Sequence, residues 1–312
     1  MAEKANLTRR TALKFVGALG ALSATAAFGQ DRSFLNGNLL RRGSSGLMLP
    51  QMETTAIDMV TARSLATPTN DFNRIMATYS KWDYNEVILW ANPDGTLTLV
   101  TAFTRAEVEQ FWDAYLSSAH YPGGERRNSD FPGTWFDLID SQYYQIDSVT
   151  GVETSYRAAF VFITWPDGVI GELYWREPSW TPAFEITMPQ TFMEMLVAYE
   201  NAWQTGDVDA RLALIEDETC SVVRIANVTG DHRTRFVART KSELRAGWTS
   251  ESYGKVIELK RLYKVISTFY ISAGYKLVLD VSGRRVERET VILFPLGPNR
   301  KFIGELSYSF ES

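Results

Sequence analysis

The chain has 312 residues, 45% of them hydrophobic, and its 37 acidic residues outnumber 32 basic ones to give a formal net charge of −5. An acidic surface repels nucleic acid and anionic lipid, so we expect neither as a partner. The single cysteine, Cys220, excludes an intrachain disulfide, and the two histidines, His120 and His232, lie far from any cysteine, which argues against a zinc site.

The N-terminal segment has the pattern of an export signal. Residues 8–14 read Thr-Arg-Arg-Thr-Ala-Leu-Lys, and a weakly apolar stretch, Phe15–Phe28, follows them. An arginine pair before such a core is typical of a twin-arginine signal. We therefore expect residues 1–30 to be a signal peptide and the protein to be periplasmic or secreted. An uncleaved signal acting as a membrane anchor and an ordinary amphipathic helix are the alternatives. Residues 31–50 lack periodicity and are predicted to form a flexible arm.

Helical spacing of apolar residues predicts a helix over residues 51–66, which Pro68 stops. Thr69 or Asn70 is expected to cap a second helix that runs through Met76, and residues 86–90 then form a strand. Thr104 opens a third helix, because a glutamate three residues later completes a capping box. Strands are predicted over residues 135–148, 153–165 and 169–176. The polar segment 120–134 is either a lid that carries His120 or a surface loop.

The second half of the chain repeats this order. The tetrapeptide Ile170-Gly171-Glu172-Leu173 recurs as Ile303-Gly304-Glu305-Leu306. Further matches upstream share a constant spacing: Asp71 with Asp207, Val87 with Val223, Thr104 with Thr240, Glu107 with Glu243 and Trp112 with Trp248. We therefore predict a duplicated domain, with a first repeat at residues 51–182 and a second at 188–312. Helices followed by a curved antiparallel sheet make each repeat an α+β cone of about three helices on one sheet.

Residues 195–209 and the run Leu212-Ala213-Leu214-Ile215 resemble the opening of a nuclear transport factor 2-like domain. This group includes ketosteroid isomerase and the SnoaL-like polyketide cyclases. The resemblance implies that each cone holds its own pocket and that the two repeats pair through their sheets as an internal pseudo-dimer, with further homo-oligomerisation possible. It does not imply one activity, since the fold hosts isomerases, dehydratases, lyases and plain binding modules.

The resemblance also suggests roles for particular residues. Tyr199 falls where ketosteroid isomerases place a tyrosine that donates a hydrogen bond to the substrate, although a buried core tyrosine would have the same spacing. Arg63 is its counterpart in the first repeat. Val223 and Val87 occupy the expected positions of the catalytic carboxylate, so neither repeat is expected to follow the ketosteroid isomerase mechanism.

The first repeat carries ionisable residues between apolar neighbours on its predicted strands. Asp140, Arg157 and Glu172 are candidates for general acid-base work, with His120 on the lid as a fourth. A solvated strand face or cross-strand ion pairs would give the same pattern. The glutamate shared by both copies of the tetrapeptide fits a structural role as well as a catalytic one.

Seven of the nine tryptophans fall in the first repeat, which favours a pocket there for a flat or polycyclic apolar ligand, with Trp90 and Tyr174 among its walls. We expect an exported lyase, dehydratase or isomerase that uses neither cofactor nor metal and acts on such a compound. The competing hypothesis is a non-catalytic ligand-binding or assembly protein with the same tandem fold.

Overall fold

The computed structural model describes residues 56–120, 126–181, 185, 188–228 and 233–312. The predicted signal peptide and arm, and the first residues of the predicted first helix, lie outside the described residues. No helix in the described ranges is long and apolar enough to cross a membrane.

The first repeat begins with helices and continues into a sheet. Its helices are α1 (Ala56–Ala66), a short 3-10 turn (Thr67–Thr69), α2 (Phe72–Met76) and α3 (Arg105–Ser118). Its strands are β1 (Asn85–Ala91), β2 (Leu97–Ala102), β3 (Ala119–His120), β4 (Arg126–Pro132), β5 (Phe136–Asp147), β6 (Glu153–Trp165) and β7 (Gly168–Arg176).

The second repeat has the same order of elements. Its helices are α4 (Met188–Thr205), α5 (Val208–Ala213) and α6 (Lys241–Trp248). Its strands are β8 (Ser221–Asn227), β9 (Arg233–Ala238), β10 (Lys255–Ile266), β11 (Tyr270–Val281), β12 (Arg284–Pro295) and β13 (Leu306–Glu311).

The two sheets have equivalent topologies, which confirms the predicted α+β fold in two copies. The seven-stranded sheet runs β2-β1-β7-β6-β5-β3, with β4 also paired to β5, and the six-stranded sheet runs β9-β8-β13-β12-β11-β10. In each sheet one parallel pair joins the first long strand to the last, β1 with β7 and β8 with β13, and the other pairs are antiparallel.

Helix starts follow the signals in the sequence. The side chains of Thr104 and Thr240 each accept a hydrogen bond from the backbone N–H of the glutamate three residues on, and the carboxylate of that glutamate accepts one from the backbone N–H of the threonine, as the capping boxes predict. Asp71 caps α2 in the way that Asp207 caps α5. The expectation that Thr69 or Asn70 caps α2 was wrong, because Asn70 instead takes a left-handed conformation that ends the preceding 3-10 turn.

The segment predicted as a lid or loop is largely part of the sheet. Residues 126–132 form β4, which pairs with β5, and His120 pairs with Ile146 at the short strand β3. Residues 121–125 lie outside the described ranges, and so does the side chain of His120. The hairpin partners β2 and β9 were also not predicted.

The outer faces of the two sheets pack against each other. Leu173 and Trp175 of β7 and Leu306 and Tyr308 of β13 belong to one buried apolar cluster that spans both repeats. This interface takes up most of the tryptophans that the sequence analysis assigned to a ligand pocket: Trp82, Trp135, Trp165, Trp175 and Trp180. Their abundance therefore reflects the joining of the two repeats, and only Trp90 and Trp112 contribute to the pocket described below.

Buried polar contacts fix the two sheets relative to each other. Arg224 of β8 donates to both carboxylate oxygens of Asp83, at 2.9 and 3.3 Å, and the Tyr308 hydroxyl donates to the same carboxylate at 2.7 Å. The Trp175 indole donates to the Phe269 carbonyl oxygen at 2.9 Å. Since these bonds satisfy polar groups that burial would otherwise leave unpaired, they select one arrangement of the interface.

The repeated tetrapeptide has a structural explanation. Its leucines, Leu173 and Leu306, face the other repeat, whereas its glutamates face inward between the sheet and the helices. The glycines allow the parallel strands to approach closely, because a Cβ atom on Gly171 would lie 2.3 Å from the Asn85 carbonyl oxygen. A Cβ atom on Gly304 would meet the Cys220 carbonyl oxygen at the same distance.

The spacing between the repeats changes by one residue just before their first strands. Ser80 and Glu216 make equivalent backbone bonds to Val169 and Phe302. The strand residue paired with the tetrapeptide leucine is Val87, seven residues after Ser80, in the first repeat, but Val222, six residues after Glu216, in the second. As a result Val87 faces the other repeat, whereas Val223 faces the interior of its own repeat. The predicted match of Val87 with Val223 is therefore wrong. The interior position equivalent to Val223 is Ile88.

Candidate active site in the first repeat

A pocket opens between the inner face of the first sheet and α3. Its cavity volume is about 50 Å³, and the free space reaches about 540 Å³ when its opening to solvent is included. Most of its wall is aromatic or aliphatic, and the polar groups are few: the lining residues are Ile88, Trp90, Phe111, Trp112, Tyr115, Tyr143, Gln145, Phe160, Glu172, Tyr174 and Arg176. An apolar concavity with a few convergent polar groups is the usual form of a small-molecule site.

Two carboxyl groups lie side by side at this pocket, one in its wall and one behind it. Glu172 on β7 and Glu86 on β1 are direct partners across the parallel strand pair, so their side chains project from the same face. Glu172 lines the pocket and is 7% exposed, and Glu86 is 1% exposed behind it. Like charges this close oppose each other's ionisation, which is the arrangement by which enzymes keep a proton available.

A buried arginine and two aromatic residues complete what we call the first carboxyl cluster: Arg63, Tyr79, Glu86, Trp112 and Glu172. The Tyr79 hydroxyl donates to Glu86 and accepts from the Trp112 indole at 2.8 Å and from Arg63 at 3.2 Å. The Arg63 guanidinium also lies 4.4 Å from the centre of the Trp112 ring. Arg63 therefore interacts in two ways, as a hydrogen-bond donor and as a cation over an aromatic ring.

Burial shifts the protonation of this cluster. It raises the pKa of Glu86 from 4.5 to about 8; the charge of Glu172 raises it further, whereas Arg63 and the Tyr79 hydrogen bond act in the opposite direction. Burial also raises the pKa of Tyr79 well above its ordinary value. At neutral pH Glu86 therefore holds a proton, and it does not repel a negative charge on Glu172.

The far end of the pocket is lined by a second set of polar groups. The hydroxyls of Tyr143 and Tyr174 share a short hydrogen bond. Gln145 is 5% exposed, and among the described residues its amide nitrogen has no hydrogen-bond partner. The Arg176 guanidinium stands over the rings of Tyr156 and Trp90, 4.9 and 5.7 Å from their centres.

The second repeat has a related cluster that is closed to solvent. This second carboxyl cluster consists of Tyr199, Arg211, Trp248, Tyr253 and Glu305. Tyr199 donates to Glu305 at 2.5 Å and accepts from Arg211 at 2.5 Å, and the Trp248 indole donates to the other oxygen of Glu305 at 2.7 Å. Tyr199 is fully buried and Glu305 is 1% exposed. In this arrangement the Tyr199 hydroxyl serves the packing of the second repeat.

The predicted site residues lie in three places: at the pocket of the first repeat, in the core of the second repeat, and at the interface between the two sheets. Glu172, Trp90 and Tyr174 line the pocket, and Arg63 lies behind it in the first carboxyl cluster. Tyr199 belongs to the second repeat. The side chain of His120 lies outside the described residues.

Asp140 and Arg157 lie on the opposite face of the first sheet from Glu172. They form a two-bond ion pair, with Arg157 donating to both carboxylate oxygens at 2.9 and 2.7 Å. The pair contacts the second repeat, since the Tyr270 hydroxyl lies 3.4 Å from Asp140 and Arg157 stands over the Phe269 ring. The expected grouping of these two residues with Glu172 is therefore not found, because their strand positions point them into the interface.

Sequence reasoning missed most of the polar residues of the site: Tyr79, Glu86, Tyr143, Gln145 and Arg176. Glu86 was missed because the assumed register put Val87 in the pocket, and a shift of one residue turns every side chain of a strand to the other face. Arg176 comes four residues after Glu172 on one strand, and side chains at even spacing point to the same face of a strand. This spacing is the signal that could have placed Arg176 beside Glu172.

No protein-family model matches the sequence, and no curated protein matches it. Among solved structures, an NTF-2-like protein of unknown function from Burkholderia xenovorans is similar at 19% identity and a TM-score of 0.30, covering 40% of this chain and 86% of that one. The epoxide hydrolase/cyclase-like enzyme SalBIII, which has a role in pyran ring formation in salinomycin, is 17% identical with a TM-score of 0.32, covering 40% and 94%. A ketosteroid isomerase-like protein from Erwinia carotovora is 14% identical with a TM-score of 0.30, covering 39% and 93%. These similarities concern the fold and assign no activity to this chain.

Proposed function

We propose that the first repeat is an active site in which Glu172 acts as a general acid-base on a small apolar, aromatic or polycyclic compound, without a cofactor. The observation that carries this proposal is the position of Glu172, which lies in the wall of an aromatic pocket and next to the second buried carboxyl, Glu86. Aromatic walls favour a flat ligand. A carboxyl group within such walls contacts the ligand in a weakly polar environment, where neighbouring charges and hydrogen bonds strongly affect its ability to transfer a proton.

The chemistry that fits is a proton transfer within one molecule, as in an isomerase, a dehydratase or another lyase. Glu172 removes a proton from a carbon next to a carbonyl group, and the electrons of that C–H bond form an enolate. The proton then returns to a different carbon, which completes an isomerisation, or goes to a departing hydroxyl group, which leaves as water. Glu86, Tyr79 and Arg63 do not line the pocket, so they are positioning residues that set the charge around Glu172.

Deuterium exchange tests this proposal without knowledge of the natural substrate. 2-Tetralone is an apolar bicyclic ketone with exchangeable C–H protons, and NMR in D₂O follows the loss of their signals. We expect the protein to accelerate exchange and Glu172→Gln to lower the rate by a factor of about 100 or more, the usual contribution of a positioned acid-base group.

The chain offers a matched control, because Glu305 holds the same place in the second repeat. Glu305→Gln, measured below its own unfolding temperature, should keep the exchange rate of the unmodified protein. Equal losses in the two variants would show that the motif acts through folding and would contradict a catalytic role for Glu172.

A binding protein without catalysis is the second candidate. The observation that favours it is that the same glutamate in the second repeat is sealed among hydrogen bonds and contributes to packing. In that case calorimetry would show 2-tetralone binding to the first repeat while NMR shows no acceleration of exchange.

We further propose that the protein is exported by the twin-arginine route, on the basis of Arg9 and Arg10 before the weakly apolar core. Replacing both by lysine should leave full-length protein in the cytoplasm. Export at the original level would show that the arginine pair is incidental.

A further inference from the structure

Arg176 is a charged residue of the pocket that the proposed chemistry does not use. It lies four residues after Glu172 on the same strand, hence on the same face, and it lines the pocket. In the part of the chain that the structure describes, no carboxylate lies within ion-pair distance of its guanidinium, which contacts the rings of Tyr156 and Trp90 instead. Those rings attract the cation, and none of the described residues accepts a hydrogen bond from its N–H donors.

A planar guanidinium at the end of an apolar pocket is suited to one kind of group. Its paired N–H donors match the two oxygens of a carboxylate, and such charge-assisted bonds are about twice as strong as neutral ones. Partial removal from water strengthens the attraction further. The ligand group that would complete Arg176 is therefore an anion, and among anions a carboxylate fits the flat space between the rings.

Gln145 is an independent sign that the pocket takes a ligand with polar oxygen atoms. Its side chain lines the pocket and is 5% exposed, and its amide nitrogen has no partner among the described residues. A buried N–H group without a partner costs free energy, so native proteins rarely retain one unless a ligand or water completes it.

The second repeat shows that this charge is not part of the shared framework. The position equivalent to Arg176, counted from the tetrapeptide, is Ser309, whose hydroxyl is hydrogen-bonded to Thr290 at 2.7 Å inside the protein. The fold therefore does not require a cation here, and the first repeat has one at the wall of its pocket.

We infer that the ligand of the first repeat is a flat apolar carboxylic acid, held by its carboxylate on Arg176 and by its rings between the aromatic walls, with its reactive carbon toward Glu172. This inference rests on the proposed function and adds the substrate class to it. The strand rise puts the Cα atoms of Glu172 and Arg176 about 13 Å apart, so a ligand that reaches both side chains has to extend along the strand.

A pair of probes that differ in one group tests the inference. 2-Naphthoate and 2-naphthol share a two-ring body, but only the first is an anion at neutral pH. Isothermal titration calorimetry on the full chain should give 2-naphthoate an affinity on the order of tenfold higher, as expected for a charge-assisted hydrogen bond. Arg176→Gln should abolish this preference and leave 2-naphthol binding unchanged, whereas Arg176→Lys should retain part of it.

Arg105→Gln is the matched control, because Arg105 is an exposed arginine of α3 paired with Glu109, and it should keep the preference. A preference for 2-naphthoate that survives in Arg176→Gln would overturn the inference. So would equal affinities of the unmodified protein for both probes, but that result would leave the proposed pocket intact. Failure of both probes to bind would instead count against the proposed function itself, and the inference would fall with it.

Discussion

The two carboxyl clusters are built on the same framework but differ in charge. Each has the tetrapeptide glutamate, a tryptophan from its third helix, a buried arginine and a tyrosine. In the second repeat Arg211 and Glu305 balance each other. In the first repeat Glu86 adds a second carboxyl group, at a position where the second repeat has Ser221. One additional carboxyl group therefore distinguishes a sealed, balanced cluster from one that must hold a proton.

The interiors of the two repeats also differ, since the second is packed and the first contains a pocket. In the second repeat Phe192, Leu196 and Trp203 of α4 pack with Tyr199 into a single apolar core. In the first repeat a pocket lies open between α3 and the sheet. Since an unpaired or protonated buried group lowers stability, the comparison suggests that the second repeat supplies stability and the first repeat holds the costly arrangement on which function depends.

Removing Arg211 should have the largest effect on stability. Arg211→Met would leave Glu305 buried without a cation, and breaking a buried pair in this way costs about 3–5 kcal/mol of unfolding free energy. Urea unfolding followed by circular dichroism measures the loss. The exposed Arg105–Glu109 pair is the control, and Arg105→Gln should not change stability measurably. A small loss in Arg211→Met would show that the second cluster is not the balanced pair described above.

Glu86 should make the stability of the protein fall as pH rises from about 4.5 to about 8. Its pKa is about 8 in the folded protein, against an ordinary value of 4.5. Below pH 4.5 it is protonated in both the folded and the unfolded chain, so it has no effect. Between pH 4.5 and 8 only the unfolded chain releases the proton, so stability falls as pH rises. The free energy of unfolding decreases by about 1.4 kcal/mol per pH unit at most, and by a few kcal/mol in total.

Glu86→Gln should remove this dependence. The variant should gain stability over the unmodified protein at pH 8 and little at pH 5, as measured by urea unfolding at both values. The corresponding change in the second repeat, Ser221→Ala, adds or removes no titrating group and should shift stability equally at the two pH values. A Glu86→Gln profile parallel to that of the unmodified protein would contradict a raised pKa for Glu86.

Local signals in the sequence made much of the fold predictable, but they did not show which face of a strand each side chain is on. The capping boxes at Thr104 and Thr240 depend on residues three apart, so the sequence alone identifies them. Asp140 and Glu172 both lie between apolar neighbours, yet one faces the interface and the other the pocket. A strand buried on both faces loses the alternation that would tell them apart.

The same physical reason explains why the tryptophans were misassigned. Trp90 and Trp175 are both buried residues of long strands, but one lines the pocket and the other donates to Phe269 across the interface. Only the pairing of the two sheets decides between these positions, and that pairing depends on contacts between residues far apart in the chain. The single-residue change in spacing before β1, which turned Glu86 inward beside Glu172, is likewise set by the parallel pairing with β7.

The glycines of the two tetrapeptides test whether the frameworks are equivalent. Gly171→Ala and Gly304→Ala would each force a methyl group against a backbone carbonyl oxygen that lies 2.3 Å from the new atom. Overpacking of this kind costs about 1–3 kcal/mol, and we expect similar losses from the two variants in thermal unfolding. A loss confined to one of them would show that the parallel strand pairs differ between the repeats.

Tyr199 and Tyr79 provide the finest comparison, since each donates to a buried glutamate of its own cluster. Tyr199→Phe removes the hydrogen bonds to Glu305 and from Arg211, both charged groups, so it should lower stability by about 1.5–3 kcal/mol or more and leave binding of 2-naphthol unchanged. Tyr79→Phe removes a hydrogen bond that lowers the pKa of Glu86, so that pKa should rise further. The fall of stability with pH should then continue to values above 8, as urea unfolding across a pH series would detect. If instead Tyr199→Phe weakens ligand binding while its pH profile and stability stay the same, the second repeat has a ligand site and the division of roles between the repeats is wrong.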